Sequence, residues 1–316
     1  MDYELIQAIN GHDPVLRIST PVDLDHSGTL CFTITGLGKK IYYDDFNIAD
    51  CLFHTLTDAD KTILNIDELK KLKLTLYDQE DRKKVVSNFP LYKCLYYERI
   101  KGKNWIFLES GVWYQVEKEF SDSIENEIAD LLKNHLSYPI KYNKSQLLKK
   151  YSKSKSKPDR YENWFNNELV DHLNNTGDSV LLDCKNIHMT GQNKIEVCDV
   201  LFFDNKNSKY LFHNKYNYGS SSLSHLFSQG NVAAQLLTDS EFRIRVNEKI
   251  INKKLHFAID DSFNAKDYTI IYGIISKPNK NKSYDIPLFS KINLKIFLDR
   301  LRSMSYNCKI CFFEEE

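Results

Sequence analysis

The stretch from Ile195 to Gln235 constrains the fold more than any other part of this chain. It opens as an apolar segment carrying Asp199, passes through a polar turn, and returns as a second apolar segment ending in His213-Asn214-Lys215. A serine run, Ser220-Ser221-Ser222, then starts a segment whose apolar residues recur at helical rather than alternate spacing. Two paired strands running into a helix bring one carboxylate and one lysine to a helix N-terminus. Metal-dependent phosphodiester cleavage uses those groups: the carboxylate holds a divalent ion, the lysine steadies the attacking water or the transition-state charge, and the helix end takes a phosphate.

The segments around this stretch predict its setting. Tyr161 to Leu173 suits a helix, with Trp164, Phe165, Leu169 and Leu173 on one side. Strands are expected at 179–184, 194–203 and 210–215, a helix at 222–237, and an apolar strand at 267–276. A helix from about 290 to 305 and a strand near Cys311 close the chain. The order α-β-β-β-α-β defines a mixed sheet flanked by helices. Gly230 costs its helix about 1 kcal/mol relative to alanine, so a bend or a close backbone approach is expected there.

The N-terminal part, 1–140, reads as a mixed α/β domain, making the whole chain α+β. Asn65 to Glu68 looks like a capping box, and Leu72, Leu74 and Leu76 alternate as in a strand. Strands at 94–100, 105–108 and 112–116, joined by short polar turns, form a β-meander. A helical pattern then runs from Ile124 to Leu136. Residues 141–160 hold eight basic residues and one acidic residue with little to bury, which predicts an exposed basic linker or arm able to track a phosphate backbone. The second domain then covers 161–316.

Composition narrows the function classes. With 43 basic and 43 acidic residues there is no global field favouring nucleic acid, so any such contact is local. No apolar run approaches a membrane span and the start is not a signal peptide, so a cytoplasmic protein without membrane contact is expected. Seven cysteines fit that reading: Cys31, Cys51, Cys94, Cys184 and Cys198 each stand alone, mostly inside apolar runs, as small core hydrophobes. The Cys308-x-x-Cys311 pair lacks the partners of a zinc site.

The element order, with Asp199 on the second strand and His213-Asn214-Lys215 on the third, resembles the PD-(D/E)XK nuclease fold over residues 160–280. The resemblance implies Mg or Mn as cofactor. Asp199 would be the main metal ligand, Lys215 the catalytic lysine and Glu162 the helix acid, with Glu168 as its substitute. Gln229 or Gln235 would be the polar residue of the following helix, beside a phosphate on Ser220, Ser221 and Ser222. The departure is His213, which stands where that superfamily carries a carboxylate. It would serve as a third ligand favouring manganese or a softer ion, or as a base.

Four motifs, ESGVWYQV at 109–116, YENWFN at 161–166, IEVCDVL at 195–201 and SSLSHLFSQG at 221–230, are similar to a sporadically distributed bacterial family of unknown function. Its members sit on mobile elements near restriction–modification genes and are usually longer at the N-terminus. Together the two resemblances imply a metal-dependent nuclease acting on DNA rather than RNA, in phage defence or restriction. Defence nucleases are often homodimers, although no coiled-coil or interface pattern is visible here.

Each residue also has a plainer reading. Asp199 and Lys215 could form a structural ion pair. Glu196 lies an odd number of positions from Asp199, so a regular strand turns it to the opposite face. The serines cap a helix in any case. His225, one turn into that helix, lacks the nucleophile elbow that would make it the base of a serine hydrolase. The competing function is a non-catalytic nucleic-acid-binding or sensor module on a degenerate nuclease fold. A protein-interaction subunit docking through its aromatic first domain is a third reading.

Overall fold

The computed structural model of the chain describes every residue except 14, 19–29, 44–47, 79–81, 152–160, 184–186, 189–193, 207, 252–257, 260–261, 280–282 and 285. It has two compact units: Met1–Ile124 with Tyr218–Ser222, and Glu125–Asn217 with Leu223–Glu316. Both mix helices with sheets, so the protein is α+β.

The first unit contains α1 (Asp2–Asn10), β1 (Arg17–Ile18), β2 (Leu30–Thr35), α2 (Ile48–Asp58), α3 (Ile66–Lys71), β3 (Lys73–Asp78) and β4 (Val85–Pro90). It continues with α4 (Leu91–Cys94), β5 (Leu95–Lys101), β6 (Asn104–Glu109) and β7 (Val112–Val116). Strands β2-β3-β4 form one antiparallel sheet and β1-β5-β6-β7 another. The last three strands of the second sheet are the expected meander. Its turns use left-handed backbone at Gly102 (φ 64°) and Gly111 (φ 79°), where a side chain would be strained. The helix expected after Asn65 is α3, capped by a variant of the capping box in which Glu68 reaches one residue beyond the N-cap. The Asn65 side chain accepts from the Glu68 N–H at 3.0 Å, while the Glu68 carboxylate accepts from the Leu64 N–H at 2.9 Å. Leu5, Phe32, Leu52, Leu74 and Leu108 fill this unit's core with no exposed surface.

Helix α5 (Lys118–Lys133) leads into the second unit, where Ile128 is fully buried. There follow α6 (Lys144–Tyr151), α7 (Tyr161–Leu173), β8 (Gly177–Leu181), β9 (Ile187–His188), β10 (Lys194–Ile195), β11 (Val200–Asp204) and β12 (Lys209–Tyr216). Then come α8 (Ser220–Leu236), α9 (Ser240–Ile251), a 3-10 turn (Ala265–Asp267), β13 (Tyr268–Ser276), α10 (Leu288–Ser303) and β14 (Asn307–Glu314). Five strands form one mixed sheet in the order β14-β13-β12-β11-β8. Strands β8, β11 and β12 pair antiparallel, and β12, β13 and β14 pair parallel. The parallel pairs need long crossovers, and α8 with α9, then α10, supply them.

Side chains alternate across this sheet and build two cores. Leu201, Leu211, Ile270 and Ile310 face one way with buried residues of α8, α9 and α10. Val200, Phe212, Ile271 and Phe313 face the other way with α6 and α7. Strand β13 lies inside both layers, which is why its sequence is an unbroken apolar run rather than an alternation. Gly230 on α8 makes room for a side chain rather than a backbone. A Cβ there would lie 2.6 Å from Cε1 of Tyr272, whose hydroxyl donates to the Phe227 carbonyl at 3.0 Å.

Two segments differ from expectation. The strand predicted over 194–203 is broken: Lys194–Ile195 pairs in a small ribbon with Ile187–His188, residues 196–199 are irregular, and β11 begins at Val200. The first half of the basic segment 141–160 is bound into the fold. Tyr142 exchanges backbone bonds with Glu314 and Glu316 (2.8 and 3.0 Å), and α6 stacks Tyr151 on Trp164 at 5.6 Å. The remainder of that segment, 152–160, lies outside the described residues, as does Cys184.

Candidate metal centre

The break between β10 and β11 is what assembles the site. Freed from strand geometry, Glu196 is not forced to the face opposite Asp199, and the two carboxylates converge. Asp183, just past the end of β8, joins them, and one oxygen from each of the three lies within 4.8 Å of the others. The link between β8 and β11 is itself irregular, because the Asp199 carbonyl accepts from both Leu182 N–H (2.8 Å) and Asp183 N–H (3.0 Å). That doubled bond brings Asp183 beside Asp199 instead of carrying it one step further along the strand.

A chain of amides fixes the cluster from α7 and β12. The Asp183 carboxylate accepts from Asn163 (2.8 Å) and Asn166 (3.0 Å). The Asn166 carbonyl oxygen accepts in turn from Asn214 at 2.8 Å, and the Asn214 backbone N–H donates to Asp199 Oδ2 at 2.6 Å. Glu162 is held by the same strand end, its Oε1 accepting from the Tyr216 N–H at 3.0 Å.

Burial pushes the Asp199 carboxyl well above the usual carboxylate range, and the neighbouring charges of Asp183, Glu196 and Glu162 push it in the same direction. Only the Asn214 N–H opposes them among the causes. Such a cluster requires a proton or a cation. Its donors are all carboxylate oxygens, which suits a hard divalent ion such as magnesium or manganese.

The residues predicted from sequence are distributed around this centre. Asp199 is a member, and Glu162 lies within its electrostatic reach. Lys215 is half-buried on β12, directly after the Asn214 whose N–H holds Asp199. Alternation turns His213 and Lys215 toward the α8 layer and Asn214 toward α7. His213 is 3% exposed and its Nε2 has no hydrogen-bond partner. Burial, and then the charge of His225 on α8, lowers its pKa to about 3, so the ring is neutral at any ordinary pH. It is not one of the three clustered groups. Glu168 is engaged elsewhere, accepting from Lys150 and from the Tyr151 hydroxyl at 2.6 Å each.

Gln229 is half-buried on α8, one position before Gly230, and Gln235 is exposed near that helix's end. Ser220 is buried and its hydroxyl has no hydrogen-bond partner. The Ser222 hydroxyl does not cap α8. It closes the preceding turn by accepting from Tyr218 N–H (3.1 Å) and donating to the Gly219 carbonyl (2.9 Å). The Ser221 side chain lies outside what is described.

Sequence reasoning missed Asp183, and the amide chain with it. The available signal was a single acidic residue terminating the apolar run Ser179 to Leu182, the same pattern that singled out Asp199. Asn163, Asn166 and Asn214 carried no comparable signal, because asparagine on a helix or strand is ordinary until its partner is known.

A mixed sheet with a carboxylate centre at an irregular strand start is thus the class that fold and site define. The chain belongs to a family of unknown function (DUF6119), whose model matches residues 1–314, in keeping with the membership its four motifs led us to expect. No curated protein and no solved structure matches the chain. Among the described residues, no helix is long and apolar enough to cross a membrane.

Proposed function

We propose that this protein is a metal-dependent nuclease-like phosphodiesterase acting on DNA, in phage defence or restriction. The observation that carries this reading is the approach of Asp183, Glu196 and Asp199 to within 4.8 Å, just past the end of β8 and just before β11, the strand that pairs with the Lys215-bearing β12. The strand order and the positions of Asp199, Glu162 and Lys215 fit the PD-(D/E)XK pattern. Asp183 and Glu196 take over the charge that His213 does not provide on the third strand.

Magnesium or manganese held there would supply a Lewis acid and a bound water of lowered pKa. Asp183, Glu196 and Asp199 would hold the ion, Glu162 would add negative charge beside them, and Lys215 would balance charge on the phosphate. A buried, neutral His213 favours the second reading, a nucleic-acid sensor on a degenerate nuclease fold, because it leaves the third strand without its acid.

Nicking of supercoiled DNA with Mg²⁺ or Mn²⁺ tests the first reading. Lys215→Ala and Asp199→Asn are expected to abolish nicking while the protein remains folded by circular dichroism. Wild-type protein that binds DNA without divalent ions and cleaves neither DNA nor RNA with any of them would leave the sensor reading.

A further inference from the structure

The opposite end of the second unit's sheet carries a different chemistry. Tyr210, Thr269 and Asn307 are register partners across β12, β13 and β14, so their side chains form one row on the α7 face. Two residues further along, that face is apolar, with Phe212 and Ile271 both fully buried. Where the apolar layer ends, a cavity of about 550 Å³ opens, lined by this row together with Ser208, Asp267 and three lysines, Lys206, Lys266 and Lys309. The volume lies within the range of small-ligand sites.

The lysines come from three separate elements: the β11–β12 turn, the 3-10 turn before β13, and β14. No carboxylate among the described residues forms an ion pair with any of them, including Asp267 in the same lining. The nearby Asp204 carboxylate is already occupied, accepting from Lys206 N–H (2.9 Å), Ser208 N–H (2.8 Å) and the Tyr210 hydroxyl (3.2 Å). The lining is braced, since the Asn307 amide donates to the Lys266 carbonyl at 2.8 Å and ties the 3-10 turn to β14.

Three ammonium groups against one carboxylate leave the cavity with a formal charge of +2 in a chain whose net charge is zero. Hydroxyl and amide donors stand beside them. Such a lining matches a compact multiply charged anion, with charge-assisted bonds from the lysines and neutral ones from the hydroxyls. A concave pocket also distinguishes this ligand from a nucleic-acid backbone, which lies along an extended basic stripe.

We propose that this cavity binds the diphosphate group of a small ligand, either free pyrophosphate or a nucleoside diphosphate. Lys209, at the cavity's edge of β12, lies four residue steps from His213, roughly 13 Å at about 3.3 Å per residue. The site is therefore distinct from the carboxylate centre, and it does not depend on the nuclease reading.

Calorimetric titration of the full chain in chelator and low salt tests this, with inorganic pyrophosphate, a nucleoside diphosphate and a single-stranded oligonucleotide as separate probes. Pyrophosphate is expected to bind and raise the melting temperature. The paired substitution Lys266→Ala/Lys309→Ala should weaken it about tenfold or more, and Asp199→Asn should leave it unchanged. A nucleoside diphosphate binding more tightly than pyrophosphate would identify a nucleotide, and equal affinity the free anion. The proposal is overturned if neither binds at millimolar concentration, or if the lysine substitutions leave binding intact. Lysine-dependent binding of the oligonucleotide alone would also overturn it.

Discussion

Two titratable residues pull the pH dependence of stability in opposite directions. His213 is neutral in the fold because burial lowers its pKa from 6.5 to about 3. The unfolded chain therefore binds a proton at this residue below pH 6.5 that the folded chain refuses, and stability falls as the pH drops through that window. At pH 5 the loss is about 2 kcal/mol, and His213→Gln should flatten this limb of a denaturation curve followed against pH. Asp199 has the opposite sign. Its raised pKa means the folded chain keeps a proton the unfolded chain releases, so metal-free stability declines as the pH rises above about 4. Asp199→Asn should raise the melting temperature of metal-free protein at neutral pH and remove the rise expected on adding Mn²⁺ to wild type. A rise that survives the substitution would place the ion elsewhere.

At the scale of elements, the site depends on strands that stop being regular at the right positions. A continuous strand through 194–203 would have turned Glu196 away from Asp199, and a regular β8–β11 ladder would have carried Asp183 past it. Strand β13 contributes from a distance. Gly273 has no room for a side chain, because a Cβ would fall 1.8 Å from Asn214 Oδ1 and 2.9 Å from Phe313. Asn214 is the link between Asn166, which holds Asp183, and Asp199. Gly273→Ala should therefore cost about 1–3 kcal/mol from overpacking and, in addition, weaken Mn²⁺ binding measured by titration. Loss of stability with unchanged metal affinity would show that the amide chain does not position the carboxylates. These elements were largely legible in advance: α7 matches its predicted span, and the meander, β12, β13 and α10 were placed to within a few residues. Helix α9 was not foreseen, since Ser240 to Ile251 carries only a modest apolar stripe among charged residues.

At the scale of the whole molecule, each unit has its own buried core, one around Phe32, Leu52 and Leu74 and the others on the two faces of the five-stranded sheet. Separate cores predict separate unfolding transitions, and only the one belonging to the unit with the carboxylate centre should move with Mn²⁺ in scanning calorimetry. A single transition shifting as a whole would show that the units unfold together. The sequence by itself determined the fold class, the order of elements around the site and the placing of Asp199 beside the strand that pairs with the one carrying Lys215. Those follow from apolar periodicity and turn residues, which act over a few positions of chain. Only the tertiary structure decided that Asp183 and Glu196 complete the cluster, that His213 stays buried and neutral, and that three lysines from separate elements share one cavity. Those outcomes depend on bulges and on contacts between segments far apart in the chain, which no local pattern encodes.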